Sequence, residues 1–397
     1  MTTLLEEARA LLPELQELRR TLHQVPEIGL DLPETQKHVL AALEGLDLEI
    51  TLGRDLHSVT AVLRGGRPGP AVLLRGDMDA LPVREETGLE YASTNGNMHA
   101  CGHDLHTAGL VGAVKLLHAR RAELAGDVIF MFQPGEEGHG GAGIMIEEGL
   151  LDAAGAPPIA AYAIHVAPGP RGVVGTRSGP VMAGANEIYI TVNGKGGHGS
   201  APFSAIDPVP ALVEIAQALQ VMVTRKLTVF DPVVLTITQL SAGEAVNVIP
   251  PSASLGATLR VMSPETLEIV RREATQLAAG IAAAHGCTAD TRVEMRYPVT
   301  FNDGERTERA LGIMRELLGE QRVLEMPTPV MGSEDFSLVL NEIPGTFIML
   351  SATPEGMDLA TADYNHSPGV LFDDAVLGDQ AAVLAQLAIT TLAEAAS

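Results

Sequence analysis

Short apolar segments of strand character, at 59–63, 71–74, 128–132 and 160–165, alternate with segments of helical spacing at 35–43, 107–117 and 142–148. Such alternation leaves few architectures open. Successive strands lie side by side in one largely parallel sheet, and the helices between them cross over its faces. Sheets of this kind place their ligands just beyond the carboxyl ends of the strands. The reactive residues fall at those places: Asp77-Met78-Asp79 follows AVLLRG, Glu136-Glu137 follows VIFMFQPG, and His165 ends AAYAI. Ahead of the first strand, Leu4, Leu5, Ala8, Leu11, Leu12, Leu15 and Leu18 recur at three-and-four spacing, which predicts a helix over 3–23.

From about residue 184 the texture changes. EIYITVNGKGGHGS is followed by a helical stretch near 209–223, the strands VVLTITQL and SLGATLRV, a helical stretch near 264–285 and TADTRVEM. That βαββαβ order belongs to a small sheet with helices on one face. A helix at 305–318, a strand at 346–350 and a last helix from Asp374 then restore the first texture. The expected organisation is an insertion, 184–294, in a discontinuous domain made of 1–183 plus 295–397. A chain of 397 residues exceeds what one core usually holds, which agrees with this division.

Charge narrows the partners. Lys and Arg number 26 against 50 Asp and Glu, a formal net charge of −24 that repels phosphate backbones and anionic lipid heads. Neither nucleic acid nor membrane is an expected partner. Apolar stretches are interrupted by charge, Gly or Pro before the roughly 18 residues of a membrane helix. The N-terminal MTTLLEEARALLPELQELRR lacks the basic, apolar, small-residue order of a secretion signal. The expectation is a soluble, cytoplasmic protein. Cys101 and Cys287 are too few for a disulfide framework, so Cys101 takes its meaning from its neighbours, while Cys287 reads as a small buried thiol.

Those neighbours are metal-ligand types. Cys, His and carboxylates gather in HACGHDLH at 99–106, PGEEGHGG at 134–141, AIHVAPG at 163–169 and YNHSPGV at 364–370. Cys101 and His103 do not share a helix face, so the pair suits a turn that points both at one cation. Glu136 and Glu137 are adjacent and point in different directions, so one can bind a cation while the other handles a proton. General-base work on a cation-activated water needs a carboxylate beside the cation but not consumed by it. A solvated acidic loop is the competing reading. Asp79 either orients a ligand histidine from behind or serves as a turn or helix cap. His99, Asp104, His106 and His139 surround these positions as candidate supports.

As an ordered set, GDMDALPV, HACGHDLHTA, QPGEEG, IHVAPG, VNGKGGHGSAP and NHSPGV resemble the amidohydrolase branch of the dinuclear metal aminoacylase/carboxypeptidase superfamily. That branch includes N-acyl-amino-acid amidohydrolases, hippurate hydrolases and indoleacetyl-amino-acid hydrolases. The likeness starts at RRTLHQVPEIGL and reaches MGSEDFS and NHSPGV, nearly the whole chain. It implies an α/β fold, a phosphorylase/hydrolase-like metallopeptidase catalytic domain with an inserted α+β, ferredoxin-like lid and dimerisation domain.

The resemblance further implies that Cys101, His103, Glu137, His165 and His366 bind two divalent metal ions per subunit, with Glu136 as general base and Asp79 behind the metals. Cys, His and Glu together suit Zn2+, and carboxylate-rich pairs also accept Mn2+, Co2+ or Ni2+. His198, in GKGGHGS, would reach the partner subunit's active site and donate to the oxyanion. A phosphate loop is excluded for that segment, because Tyr189 stands where its first Gly must fall and Gly196 follows Lys195. Asn247 in AVNVIP and Arg260 in GATLRV resemble positions that hold the substrate's amino-acid portion, and the Arg fork suits a carboxylate. Ser333, Glu334 and Asp335 match the GSEDF stretch, where touching substrate and shaping a loop both stay open. The implied reaction is metal-dependent hydrolysis of the amide bond of an N-acetyl, N-benzoyl or indoleacetyl amino acid to a carboxylic acid and a free amino acid. A metal-dependent dipeptidase or carboxypeptidase is the alternative, and a noncatalytic metal-binding module a third reading. The implied partners are that small molecule and a second copy of the chain, as a homodimer or homotetramer.

Overall fold

The structure, a computed structural model, describes residues 3–397 and divides into two compact units. The first runs up to Val181 and resumes over Phe301–Thr328 and Asp335–Ser397; the second holds Met182–Thr300 and Pro329–Glu334.

An eight-stranded sheet organises the first unit, in the order Glu49–Leu52, Val59–Leu63, Ala125–Gln133, Arg67–Asp77, Ala160–Ala167, Gly345–Ser351, Val174–Thr176, Val323–Glu325. Its four central strands, from Ala125–Gln133 to Gly345–Ser351, are mutually parallel. They are apolar on both faces, as strands covered twice must be: Val72, Leu73, Leu74, Ile129, Phe130 and Phe132 are all inaccessible to solvent. The flanks depart from the parallel expectation. Glu49–Leu52 runs antiparallel to Val59–Leu63, which runs antiparallel to Ala125–Gln133, and Val174–Thr176 opposes Gly345–Ser351. The sheet is therefore mixed. The link over 53–58 is long enough for a hairpin and too short for a crossover, which needs about a dozen residues.

Two further expectations change. The helix predicted over 3–23 is two, Leu4–Ala10 and Leu12–Gln24, with Pro13 in the first turn of the second. Proline lacks the amide that a continuous helix would need there, but fits a new N-terminus. The C-terminal stretch Asp374–Ala395, expected to be too interrupted, is long and apolar enough to cross a membrane, with a mean hydropathy of 1.4. It is a core helix: Leu377–Ala395 packs on His103–Ala119 and Leu4–Ala10 and buries Leu377, Val383, Leu384, Leu387 and Leu392.

Charged groups tie these helices together from inside. Arg19 is 1% exposed; its Nε lies 2.8 Å from Asp104 and its Nη1 2.9 Å from Asp374, and Nη1 also donates to the Tyr91 hydroxyl at 2.8 Å. His23 bridges Asp104 at 2.7 Å and Glu85 at 3.1 Å. Burial works against charge on His23, but the two carboxylates outweigh it and raise its pKa.

In the second unit the strands Val234–Ala242, Ser252–Val261, Gly184–Asn193 and Thr288–Tyr297 form an antiparallel sheet in that order. Alternate residues of Gly184–Asn193, among them Ile188, Ile190 and Val192, share one core with Leu212, Ile215 and Leu219 of helix Pro208–Lys226 and Val270, Ala274 and Ala278 of helix Pro264–Ala284. This is the ferredoxin-like βαββαβ arrangement. Both helices start on side-chain caps, Asp207 and Ser263.

Removing one acid from the internal ion network tests its weight. Asp374→Ala leaves Arg19 buried with one carboxylate fewer, and the expected loss is about 3–5 kcal/mol of unfolding free energy by urea titration. A loss under about 1 kcal/mol, the range of an exposed pair, would mean that Arg19 does not depend on Asp374.

Candidate metal centre

The strand Arg67–Asp77 delivers Asp77 and Asp79 to its carboxyl end, and the turn before helix His103–Ala119 brings up Cys101 and His103. Gly102 makes that turn. Its φ is +79°, and a Cβ there would lie 2.3 Å from Cγ2 of Val166. Only glycine combines this left-handed backbone with so close an approach, and the reversal lets Cys101 and His103 face one centre. Cys101 Sγ lies 3.5 Å from His165 Nε2 and 3.3 Å from His366 Nε2. Glu137 Oε1 lies 3.2 Å from His366 Nε2 and 3.9 Å from His103 Nε2. The five ligand-type residues expected from the sequence thus meet in one cluster. His366 has a φ of +72°, the sole positive value outside glycine among the described residues, and its N–H donates to Ala100 O at 2.9 Å.

Asp79 supports the cluster from two directions. Its Oδ1 and Oδ2 accept the backbone N–H groups of Glu136 and Glu137, each at 3.0 Å, and Oδ1 stands 3.5 Å from His103 Nδ1. One carboxylate therefore backs the His103 imidazole and pins the turn that carries the two glutamates. Glu136 is 6% exposed, and one of its carboxylate oxygens lies within 4.8 Å of ligand atoms of Glu137 and His103.

The chemistry of this cluster fits divalent cations. Both ring nitrogens of His103 and Oε1 of Glu137 are buried with ionic neighbours at 3.2–3.9 Å but no well-aligned hydrogen bond, which native interiors rarely leave unexplained. Burial opposes ionisation of Cys101, yet His165, His103 and His366 outweigh it and hold the thiol well below its ordinary value. The contacts with Cys101 and Glu137 raise the His366 pKa to about 10. Two anions thus recruit a proton onto the nearest imidazole, the place where a cation would satisfy all of them.

Asp77, His103, His106 and His165 also bring ligand atoms within 4.8 Å of one another, but most of these atoms have other duties. Arg75 Nη1 pairs with Asp77 Oδ2 at 2.6 Å, His106 Nδ1 meets Asp77 Oδ1 at 2.5 Å, and His106 Nε2 accepts the Val166 N–H at 2.7 Å. Burial lowers the His106 pKa to about 4, against the pull of Asp77. Asp335, fully buried, accepts from Gln133 Nε2 at 2.7 and 2.9 Å and from the Ala142 N–H at 3.0 Å, and lies 3.4 Å from Arg75 Nη2. These bonds tie it to strand Ala125–Gln133 and to helix Gly141–Glu147. Arg75 and Gln133 are absent from the sequence-level candidates, although one long polar side chain inside an apolar run, AVLLRG or VIFMFQ, was their signal. His99 is buried with both ring nitrogens unpartnered, burial lowering its pKa to about 4. His139 is exposed against Gly29.

The remaining candidates belong to the second unit. His198 Nδ1 accepts the Ser200 N–H at 3.1 Å and contacts the Ser200 hydroxyl at 2.8 Å, so the ring of this exposed residue keeps its proton on Nε2. His198 pairs with Val248, and the Gly199 N–H donates to Asn247 O at 2.8 Å, so His198 and Asn247 are neighbours. Arg260 is not with them. It stands near the far end of strand Ser252–Val261, opposite Ala185 and Val234, while Asn247 lies in the connection that precedes Ser252. Eight residues of strand at about 3.3 Å each put roughly 25 Å between those ends.

Gly102→Ala is expected to cost stability and cation together, because the added methyl meets Val166 and the left-handed backbone disfavours it. Its Tm should fall, and equilibrium dialysis should show reduced Zn2+ uptake. Native uptake in a folded variant would remove Gly102 from the construction of the centre.

Residues 73–390 match the model of peptidase family M20/M25/M40. N-acetylcysteine deacetylase of Bacillus subtilis (strain 168) is 36% identical over 97% of this chain and 98% of its own length. IAA-amino acid hydrolase ILR1-like 2 of Arabidopsis thaliana is 37% identical over 100% of this chain and 90% of its own. Among solved structures, the Bacillus subtilis YXEP protein, a dinuclear metal binding peptidase from the M20 family, superposes with a TM-score of 0.83 at 34% identity, covering 97% of this chain and 99% of that one.

Proposed function

Because this chain belongs to peptidase family M20/M25/M40, we propose that it hydrolyses the amide bond of N-acyl amino acids, releasing a carboxylic acid and a free amino acid. Its relatives named for N-acetylcysteine and for IAA-amino acids support that substrate class. The observation that carries the proposal is Glu136, a buried carboxylate set against the cation cradle while its neighbour Glu137 turns to His103 and His366.

Cys101, His103, Glu137, His165 and His366 would hold two divalent ions, Zn2+ or Mn2+, with Co2+ and Ni2+ also suited to the donor set. Such ions, when bound, lower the pKa of water and polarise an acyl carbonyl. Glu136 accepts the proton of the attacking water and returns it to the departing amino nitrogen. Asp79 keeps His103 oriented and Glu136 in place. His198 offers its Nε2 proton to the oxygen that gains charge, while Arg260 pairs with the substrate carboxylate and Asn247 holds the same end of the substrate.

Arg260 and Asn247 lie too far apart in one chain to touch one small substrate together. They serve a single site only if different subunits supply them, which supports a homodimer in which His198 and Asn247 come from the partner. Strand Val234–Ala242 pairs on one side only, with Ser252–Val261, and exposes Leu240, so its open edge suits a second copy. In this reading the second unit is the lid and dimerisation domain and the first the catalytic domain. A cytoplasmic place of work agrees with two free cysteines.

Glu136→Gln should keep the fold and the bound metal, measured by elemental analysis, and lower kcat on N-acetyl, N-benzoyl or indoleacetyl amino acids by about 10²–10⁴. Near-native kcat would end the role of Glu136. Hydrolysis of dipeptides with none of N-acyl amino acids would favour a dipeptidase. The shared site has its own test: mixing inactive Glu136→Gln and His198→Ala subunits should restore about a quarter of native sites, since about half the dimers are mixed and one site of each is whole. Exchange of subunits with no return of activity would place His198 in its own chain's chemistry or outside it.

A further inference from the structure

We propose that His106 is a positioning residue that fixes the orientation and tautomer of His165 through the backbone of Val166. The strand Arg67–Asp77 pairs with Ala160–Ala167 only over Ala160–Ala163, so the amide of Val166 has no strand neighbour on that side. The imidazole of His106 replaces it, accepting the Val166 N–H on Nε2 at 2.7 Å. Beyond the Cα of the same residue, the Val166 carbonyl accepts from His165 Nδ1 at 2.8 Å and from Asn365 Nδ2 at 3.2 Å. That bond places the His165 proton on Nδ1 and leaves Nε2, 3.5 Å from Cys101 Sγ, as a lone-pair donor.

His106 is itself fully assigned. An Nε2 that accepts an amide carries no proton, so its proton is on Nδ1, facing Asp77 Oδ1 at 2.5 Å. Arg75 pairs with the other Asp77 oxygen at 2.6 Å. The rings of His106 and His165 lie 4.6 Å apart, centre to centre. Val166 is fully buried, so without His106 its N–H would lack a partner, and a change in the backbone dihedrals of Val166 to find one would move its carbonyl relative to His165 Nδ1. The strut is built by a side chain where the pairing with Arg67–Asp77 stops.

This inference rests on the reading that His165 holds a cation, and the experiment separates the two. Co2+ is titrated into metal-free protein against a chromophoric chelator. His106→Gln keeps an acceptor for the Val166 N–H and loses Asp77; His106→Asn keeps a donor to Asp77 and cannot reach Val166. The Asn variant should bind Co2+ about 10–100-fold more weakly than native protein, and the Gln variant should recover most of that loss. Native affinity in the Asn variant, or equal losses in both, overturns the proposal. If His165→Ala leaves Co2+ affinity unchanged, the ligand role of His165 falls and this proposal with it; if His165→Ala abolishes binding while His106→Asn does not, the positioning role alone falls. The native protein gives an independent reading that no variant's folding can confound: ¹⁵N NMR should find the His106 proton on Nδ1, and a proton on Nε2 overturns the proposal.

Discussion

Two consecutive backbone amides, those of Glu136 and Glu137, end on the carboxylate of Asp79. Most of the centre depends on that arrangement. Anchoring both amides of this turn at one point fixes its backbone and so decides where each glutamate goes. The same carboxylate faces His103, so the residues assigned to cation binding and to proton transfer are referenced to one rigid group. Since Asp79 follows one parallel strand and Glu136 another, the geometry of the site is set by the register of Arg67–Asp77 against Ala125–Gln133, paired from Ala71 to Asp77.

Beneath this level the first unit buries an unusual amount of charge. Arg75 and Asp335 lie under the strand ends, and Arg19, Asp104 and Asp374 join three helices. Burying ions is costly, and an apolar core is often the more stable alternative. Paired ions do, however, accept only one arrangement of their partners, whereas apolar side chains slide and repack. A site that must converge donors from separate strand ends gains from that selectivity.

Much of this was legible in the sequence, for identifiable reasons. Ligand-type residues at strand ends come together in one cluster, and the change of texture at 184 falls near Met182, where the second unit begins, because both depend on local pattern; the return of Pro329–Glu334 to that unit has no such pattern. Strand direction at the sheet edges was not legible: Val59–Leu63 has the composition of a parallel strand and becomes antiparallel through the length of one connection. Arg75 and Gln133 stand inside apolar runs that read as plain strand, and their partner Asp335 is more than two hundred residues away from either. Asn247 and Arg260 are close in the sequence, but the strand between them carries one away from the other, and only the antiparallel register shows this.

The left-handed backbone of His366 has a consequence for the history of such a chain. An imidazole held at positive φ costs of order 1–3 kcal/mol, a burden that glycine would not bear and asparagine would bear more lightly. With His366 in the ligand role proposed for it, selection for folding alone and selection for a nitrogen ligand pull in opposite directions at this one position. A lineage released from the need for a cation gains stability by exchanging the histidine, and does so without disturbing the turn. Glycine or asparagine at position 366 would then be the mark by which a descendant that had abandoned chemistry could be recognised, even with the rest of its fold intact.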